Sequence, residues 1–299
     1  MELCLAVDVG GTKLAAGLIG ADARVLAQEV VPTPTVEDPE DLFAAAATLV
    51  DGVARSGGCG RPVVCGVGCG GPMGLGGEEV SPLNIPAWRR FPLRRRLAET
   101  SGLPTFVDND AKALALGEGW AGAAVGRANF LAMVVSTGVG GGIVLDGRLL
   151  DGASGNAGHV GHVIVAPGGR LCACGARGCL EAEASGTAIA AITGRPARLA
   201  GPDVATRTGT LVGRAVASVV NLLDLELVVV AGSVSLGFGQ PFFAAAQDEL
   251  DALARLDFAV GTRIVPAGLG SAGPLVGAGA VGWRGLGRLP ALGAGLVPP

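Results

Sequence analysis

Apolar and polar positions divide this chain into short buried runs separated by glycine-rich turns. Leu3 to Val9 is an apolar run of strand formers that ends in Asp8-Val9-Gly10-Gly11-Thr12-Lys13. Leu14 to Ile19 is short and apolar again, Gly20-Ala21-Asp22-Ala23 supplies turn residues, and Arg24 to Val31 reads as a third strand. The first glycines therefore sit in a hairpin between strands, not ahead of a helix. The same arrangement returns later. Phe130 to Val135 predicts a buried strand and Ser136-Thr137-Gly138-Val139-Gly140-Gly141-Gly142 a glycine turn. Ile143 to Leu145 is the returning strand, Asp146-Gly147 a hairpin turn and Arg148 to Leu150 a third strand. An approximate repeat of this kind predicts two similar domains, each offering a glycine hairpin to one ligand.

Between and after the two meanders the pattern alternates strand and helix. Asp38 to Arg55 predicts an Ala-rich helix with Asp38 as N-cap and Pro39 in the first helical position. Val63 to Val67 is a strand leading into a glycine run, and Ser81-Pro82-Leu83-Asn84-Ile85-Pro86-Ala87-Trp88 is a proline-studded loop of the kind found at cleft rims. Leu93 to Thr100 is a helix whose Arg94, Arg95 and Arg96 read as a solvated face. Thr105 to Val107 is a strand ending at Asp108-Asn109-Asp110, where a helix over Ala111 to Gly119 begins. Helices follow over Ala184–Thr193, Thr210–Leu223 and Phe242–Arg255, with strands at Leu227–Val230 and Arg263–Val265. Ala231-Gly232-Ser233 is a third glycine turn after a strand. Gly270 to Val281 reads as a small-residue helix, and the tail from Gly285 to Pro299 as loosely ordered.

Composition narrows the class. The chain has 299 residues, of which 49% are hydrophobic and only 16% charged, enough for one large or two ordinary domains with substantial cores. A net charge of −4 supplies no basic footprint, so extended binding to nucleic acid or an anionic membrane is not expected. The opening MELCLAVDVGG lacks a basic segment followed by an apolar one, so no signal peptide is expected. The apolar stretch Leu211 to Val234 is interrupted by Arg214, Asp224 and Glu226 and reads as a core helix and strand. Seven cysteines, an odd number, suit a reducing cytoplasm. Cys4, Cys59, Cys65 and Cys69 lie in apolar or glycine-rich surroundings and read as small core residues.

Three stretches carry chemistry. The first is His159 to Glu181, HVGHVIVAPGGRLCACGARGCLE, which holds both histidines. Cys172, Cys174 and Cys179 form a C-x-C-x4-C cluster with His162 ten residues ahead of it. Three thiolates and one imidazole make the ligand set of a closed tetrahedral structural zinc site, and the bracketing glycines let a short loop fold back on a metal. Three buried or redox-active cysteines would be the alternative. The second is Asp108-Asn109-Asp110: two carboxylates and an amide at a strand end where a helix starts. N-capping by Asp108 or Asp110 would explain one aspartate but not the whole triplet. The third is Gly10-Gly11-Thr12-Lys13, which reads either as a backbone cradle for phosphates or as an ordinary tight hairpin. The spacing of a Walker loop is absent.

Taken together these motifs resemble the ROK family, bacterial sugar kinases and related repressors of the actin/hexokinase superfamily. The resemblance spans nearly the whole chain. It rests on DVGGTK at Asp8–Lys13, DNDA at Asp108–Ala111, STGVGGG at Ser136–Gly142, GNAGHVGH at Gly155–His162 and CACGARGCLE at Cys172–Glu181. It implies an α/β, two-domain actin-like ATPase (ribonuclease H-like) fold with an interdomain active-site cleft. The small domain is expected over 1–111 with a C-terminal helix at about 283–299, and the large domain with its zinc loop over 112–282. The implied activity is ATP-dependent transfer to a sugar hydroxyl, usually O6 of a hexose, in carbohydrate metabolism. Asp110 matches the catalytic base and Asp8 the acid that holds hydrated Mg2+. Gly10, Gly11, Thr12 and Lys13, with Thr137, Gly138 and Gly140, match the two phosphate hairpins, and Gly232 lies in the adenosine-side turn. Gly71, Asn84, Asn109, Asp110, His159, His162 and Glu181 match sugar-contacting positions. His162 also serves Zn2+ through its other nitrogen, with Cys172, Cys174 and Cys179. ATP and a small-molecule sugar are the expected partners, with neither nucleic acid nor membrane, and a cytoplasmic homodimer is the expected state.

One departure bears on the substrate. Most kinases of the family have Glu-x-Gly-His where this chain has His159-Val160-Gly161-His162. The usual glutamate accepts hydrogen bonds at the C1–C2 end of the sugar, whereas histidine is bulkier and can donate. Some bacterial N-acetylmannosamine kinases resemble this arrangement, while SPLNIPAW at Ser81–Trp88 is more similar to the sugar loop of glucokinases. Glucose and N-acetylmannosamine thus stand level as acceptors, and the donor, ATP or polyphosphate, stays open. The rival reading is a non-catalytic sugar sensor or regulator. Such proteins carry a DNA-binding helix-turn-helix ahead of the kinase-like part, and only seven residues precede Asp8 here.

Overall fold

The computed structural model describes residues 1–56 and 60–293. Cys59 and residues 294–299 of the expected C-terminal segment lie outside the described residues. In chain order the first half forms β1 (Glu2–Val9), β2 (Lys13–Gly20), β3 (Val25–Pro32), α1 (Pro39–Arg55), β4 (Arg61–Cys69), α2 (Leu93–Ser101), β5 (Thr105–Asn109) and α3 (Asp110–Ala121). The second half adds β6 (Phe130–Val135), β7 (Val139–Leu145), β8 (Arg148–Leu149), α4 (Leu180–Ala184), α5 (Gly186–Thr193) and α6 (Pro202–Leu223). It closes with β9 (Leu227–Ala231), α7 (Ser233–Phe238), α8 (Gln240–Leu253), β10 (Arg263–Pro266) and α9 (Gly273–Gly285).

The chain divides into two compact units. Unit 1 holds residues Met1–Gly122, Leu149–Ala157 and Leu269–Leu292, and unit 2 holds Ala123–Arg148, Gly158–Gly268 and the chain from Gly293. Each contains one five-stranded sheet, ordered β3-β2-β1-β4-β5 in the first and β10-β9-β6-β7-β8 in the second. Read by position within the unit, the two orders are the same. In both, the first two strands pair antiparallel and the first and fourth pair parallel. The repeat expected from the glycine hairpins is therefore a repeat of sheet topology.

In unit 1 the central strand β1 is buried on both faces. Leu3, Leu5, Val7 and Val9 face a core shared with Leu42, Phe43, Leu49 and Val50 of α1 and with Leu93 and Leu97 of α2. Cys4 and Ala6 face the other way, toward Leu275, Ala278 and Trp283 of α9. The small residues of α9 have a steric reason. A methyl group on Gly66 of β4 would collide with the Ala278 carbonyl, and one on Gly282 would lie 2.5 Å from Cys4 Sγ. A methyl on Gly117 of α3 would lie 3.0 Å from the Gly277 backbone. Helix α9 thus packs backbone to backbone against β4 and α3. The expected domain division did not foresee this: it placed 112–282 in the large domain, whereas α3 and α9 both belong to unit 1. Of the expected C-terminal helix from about 283, only Trp283–Gly285 are helical among the described residues, as the end of α9, and Leu292 beyond it is buried.

Unit 2 is built around Leu131, Met133 and Val135 of β6 and Val228 and Val230 of β9, covered by Val212, Val216 and Val220 of α6 and Phe242, Ala246 and Leu250 of α8. Gly209 and Gly213 of α6 face the carbonyls of Phe242 and Ala246, so these two helices also meet at their backbones. Two expected elements are revised. The helix over Ala184–Thr193 is two helices broken at Ser185, whose hydroxyl caps α5 by accepting from the Ala188 N–H at 3.0 Å. Gly140, Gly141 and Gly142 lie inside β7, paired with Val134, Met133 and Ala132, and not in the turn. Glycine is needed there because a methyl on Gly141 would lie 2.8 Å from Val160 Cγ2. Among the described residues, no helix is long and apolar enough to cross a membrane.

Candidate active site

In unit 1 the candidate residues gather at the carboxyl ends of adjacent strands. Asp8 near the end of β1 is in register with Gly68 of β4, which is in register with Asp108 of β5. A methyl on Gly68 would lie 3.7 Å from Asp8 Oδ1 and 3.8 Å from Asp110 Cα, so its absence keeps open the space between the two aspartates. Burial, then the charge of Asp110, push the Asp8 carboxyl up to about 7, and Lys13 pulls it partly back. A buried carboxyl with the exposed carboxylate of Asp110 near it leaves negative charge for a cation to neutralise, and an all-oxygen donor set suits Mg2+.

The helix cap at this point removes the alternative reading of the triplet. Neither aspartate is the N-cap of α3; Asn109 is, its Oδ1 accepting from the Ala111 N–H at 3.0 Å. That bond fixes the orientation of the amide. Asp110 Oδ1 accepts from the same N–H at 2.8 Å, which holds its carboxylate at the first turn of α3. Asp108 turns to a different task. It pairs with Lys112 at 3.0 Å and Arg284 at 3.4 Å, and both cations also reach Asp151, at 2.8 and 2.9 Å. Lys112 Nζ donates in addition to the Gly155 carbonyl at 3.2 Å. Burial pushes Asp108 upward, and Lys112 foremost pulls it back. This four-charge network fastens Asp151–Gly155 beside the Asp-Asn-Asp turn. Sequence reasoning missed it, because its members are spread over three distant segments; a buried lysine two residues after Asp110 was the only local signal.

The first glycine hairpin is closed by Gly10 N–H donating to the Lys13 carbonyl at 3.0 Å. It is braced by Thr33, whose hydroxyl donates to the Gly10 carbonyl at 2.7 Å and whose N–H donates to that of Thr12 at 3.1 Å. Asn84 lies directly on it: a methyl on Gly11 would come within 2.7 Å of Asn84 Cβ. The loop carrying Asn84 is tied at its base by Arg89, which donates to the carbonyls of Pro82 and Ile85 at 3.0 and 2.9 Å. Trp88 is buried beneath it and stacks on Phe91 with centroids 4.5 Å apart. Gly71 joins the same loop, its carbonyl accepting from Leu83 N–H at 3.2 Å. Thr33 and Arg89 are further residues that the sequence reading did not single out. The Arg94–Arg96 face is ion-paired to Glu78, Glu99 and Glu40, as a solvated face would be.

Unit 2 presents the second group. The ligand atoms of His162, Cys172, Cys174 and Cys179 all lie within 4.8 Å of one another. Cys174 and Cys179 Sγ are 3.7 Å apart, as are Cys172 Sγ and His162 Nδ1. Tetrahedral Zn–S bonds of ~2.3 Å set S···S edges of ~3.8 Å, so the cluster has the dimensions and donor set of a zinc site. Burial raises the Cys179 thiol to about 12, while the Ala176 backbone and neighbouring sulfurs lower that of Cys174. Gly175 and Gly178 take φ of +91° and +76°, and a side chain on Gly178 would collide with the Ala166 carbonyl. Buried Glu183 anchors the loop from below, accepting from Arg170 N–H and from Arg207, both at 2.7 Å.

His162 occupies a single helical turn, Val160–His162, laid flat on β7: methyl groups on Gly158 and Gly161 would collide with the carbonyls of Gly141 and Val139. With Nδ1 toward the sulfurs, Nε2 is its other face, and the His159 ring lies 6.1 Å away between centroids. Glu181 accepts from Val139 N–H at 2.9 Å. The second hairpin closes with Ser136 N–H donating to the Gly138 carbonyl at 2.9 Å, and Thr137 lies at its tip. Gly232, at φ +110°, sits against the Val135 backbone, which any side chain there would strike. Thr137, Gly138, Gly232, His159, His162 and Glu181 thus share one unit, and Gly140 stands one step inside β7.

The model of the ROK family matches residues 4–282. This chain belongs to the ROK family. Among curated proteins, it is 40% identical to the N-acetylmannosamine kinase of Citrobacter koseri over 250 residues, 79% of this chain and 84% of that one. Among solved structures, it is similar to the ROK hexokinase from Thermus thermophilus, with 35% identity and a TM-score of 0.81 over 95% of this chain and 99% of that chain. It is also similar to a ROK glucokinase from Streptomyces griseus solved with glucose and AMPPNP, with 28% identity and a TM-score of 0.82 over 94% of this chain and 99% of the other. Its fold is the actin-like ATPase fold of these kinases, the repeated sheet described above.

Proposed function

We propose that this ROK sugar kinase transfers the γ-phosphoryl group of MgATP to the 6-hydroxyl of N-acetylmannosamine. One observation carries the choice of sugar: the 40% identity with an N-acetylmannosamine kinase over most of both chains. The chemistry is supported by the strand ends of unit 1. Phosphoryl transfer asks a protein for positioning and charge neutralisation more than for covalent chemistry. Asp110, held at the start of α3, accepts the proton of the attacking hydroxyl. Asp8 holds hydrated Mg2+, which when bound neutralises charge on the phosphate oxygens. The hairpin Gly10–Lys13 and the turn with Thr137, Gly138 and Gly140 receive phosphates, and the Gly232 turn receives the adenosine side.

Asn109, whose Oδ1 is committed to the cap, donates to the sugar through its amide nitrogen, and Asn84 and Gly71 line the acceptor side. Cys172, Cys174, Cys179 and His162 Nδ1 hold structural zinc, which supplies rigidity and no step of the reaction. His162 Nε2 and Glu181 are thereby presented to the sugar. His159 takes the place of the family's usual glutamate near the C1–C2 end, and an imidazole suits the N-acetyl group carried on C2.

Glucose is the second reading, favoured by the Ser81–Trp88 loop and the likeness to the Thermus hexokinase. ADP release with N-acetylmannosamine, N-acetylglucosamine, glucose, mannose and fructose in parallel separates the two. The highest kcat/KM is expected with N-acetylmannosamine. Preference for glucose replaces the acceptor. Sugar binding without turnover, with either MgATP or polyphosphate, leaves a sensor and defeats the kinase reading.

A further inference from the structure

We infer that Glu181 is a positioning residue for the second glycine hairpin, so that the metal loop sets nucleotide affinity as well as presenting groups to the sugar. The inference rests on the kinase reading in treating this hairpin as a phosphate cradle. Its geometry lies wholly within unit 2.

The turn Ser136–Val139 is gripped by the chain that leaves the metal loop. Glu181 Oε2 accepts from Val139 N–H at 2.9 Å. Gly186 N–H donates to the Ser136 carbonyl at 2.7 Å, and the Thr187 hydroxyl donates to that of Thr137 at 3.0 Å. A methyl on Gly138 would lie 2.8 Å from Glu181 Oε2, so the carboxylate fills the space that a side chain would need. On the other side, Gly161, one residue before the candidate ligand His162, packs on the Val139 carbonyl. Val139 is therefore held through its N–H by a residue two after Cys179, and its carbonyl is packed against a residue next to His162.

Helix α4, which carries Glu181, has five residues and follows directly on Cys179, its N-cap position. A helix of that length has no stability of its own. The position of Glu181 is set by what fixes the two ends of α4: the metal cluster at Cys179, and Glu183 through Arg170 and Arg207. One carboxylate oxygen is committed to Val139, so the same side chain that offers its remaining capacity to the sugar also orders the phosphate turn. Its bond is charge-assisted, the stronger class.

The test is MgATP binding to the full-length, zinc-loaded protein in the absence of sugar, measured by calorimetry. Glu181→Ala, which leaves Val139 N–H without its acceptor, is expected to weaken MgATP binding about tenfold or more, the worth of one charged hydrogen bond. Glu181→Gln keeps an acceptor oxygen and is expected to stay within about threefold of the parent chain, the equivalent of a fraction of a neutral bond. Hydrogen exchange of the peptide spanning 136–142 should rise in the alanine variant and not in the glutamine one. Should Glu181→Ala fail to fold, Glu181→Asp, which draws the carboxylate back by one methylene, carries the same expectation of weakened binding. Parental affinity in the alanine or aspartate variant overturns the inference, as does a glutamine variant as weak as alanine. Failure of the parent chain itself to bind MgATP strikes the kinase reading instead.

Discussion

Two units share one sheet topology and solve the placement of functional groups by different means. In unit 1 the candidate groups are side chains at strand ends: Asp110 and Asn109 are held by a backbone N–H at the cap of α3, and Asp108 by a network with Lys112, Asp151 and Arg284. In unit 2 the histidines, the cysteines and Glu181 are carried on a long excursion between β8 and β9, which gathers a His/Cys cluster with the donor set of a metal site and glycines that let backbone lie on backbone. The corresponding β3–β4 connection of unit 1 is the single helix α1. A repeated fold therefore diverges where its connections can lengthen without disturbing the sheet. A short, apolar connection leaves chemistry to the strand ends, and a long one needs its own cross-link.

The largest effect is expected from unit 1. Asp110→Asn should reduce kcat by about 10²–10⁴-fold while sugar affinity stays near that of the parent chain, since general-base assistance has that worth and the amide keeps the side-chain shape. Substantial residual turnover in that variant would remove Asp110 from the role of base.

Metal removal probes unit 2 alone. Stripping zinc with a chelator should raise hydrogen exchange over residues 158–187 and abolish sugar binding, while β1–β5 keep their protection. Metal analysis should give close to one zinc per chain, falling to background in Cys174→Ser. A chelated protein whose whole chain loses protection would show that the two units do not depend on the metal differently.

Backbone packing in unit 1 is tested at Gly66, where any side chain meets the Ala278 carbonyl. Gly66→Ala should destabilise the chain by about 3 kcal/mol, the upper range for overpacking, as read by urea unfolding. Gly102→Ala, with open space but φ +66°, should cost only about 1 kcal/mol.

The last effect is electrostatic. Asp8 in the folded chain titrates at about 7 against its ordinary 3.8. Between those values the folded chain holds a proton that the unfolded chain has released, so this group makes stability fall as pH rises from about 4 to about 7. In Mg2+-free buffer, Asp8→Asn should flatten that part of the stability profile and leave it unchanged below pH ~4. An unchanged slope would mean that Asp8 is already ionised and compensated in the fold.

Much of the fold was legible before any coordinates. Short apolar runs broken by glycine turns predicted both meanders, and Asp38-Pro39 predicted the start of α1, where Asp38 indeed accepts from Glu40 N–H at 2.8 Å. These are local signals: a strand's faces and a helix's first turn are decided by residues a few positions apart. The metal cluster was legible for the same reason, since three of its ligands fall within eight residues.

What escaped was decided at a distance. Nothing local distinguishes Asn109 from its neighbours as the cap of α3, because all three residues can accept from a backbone N–H, and the choice follows from Asp108 turning toward Lys112 and Arg284. The glycines of β7 read as a turn until Val160 is seen to rest on Gly141. The assignment of α9 to unit 1 depends on its contact with Gly66 and Gly117, far earlier in the chain. By itself, the sequence determined the family, the strand-and-hairpin repeat, the His/Cys set of the candidate metal site and the identities of the candidate acid and base groups. Tertiary structure alone decided which glycines are turns and which are contact surfaces, which aspartate sits in the buried ion-pair network, and that Glu181 bonds the second glycine hairpin. The physical reason is range: turns, caps and short ligand spacings are written within one element, whereas close backbone approach and buried charge pairing exist only between elements.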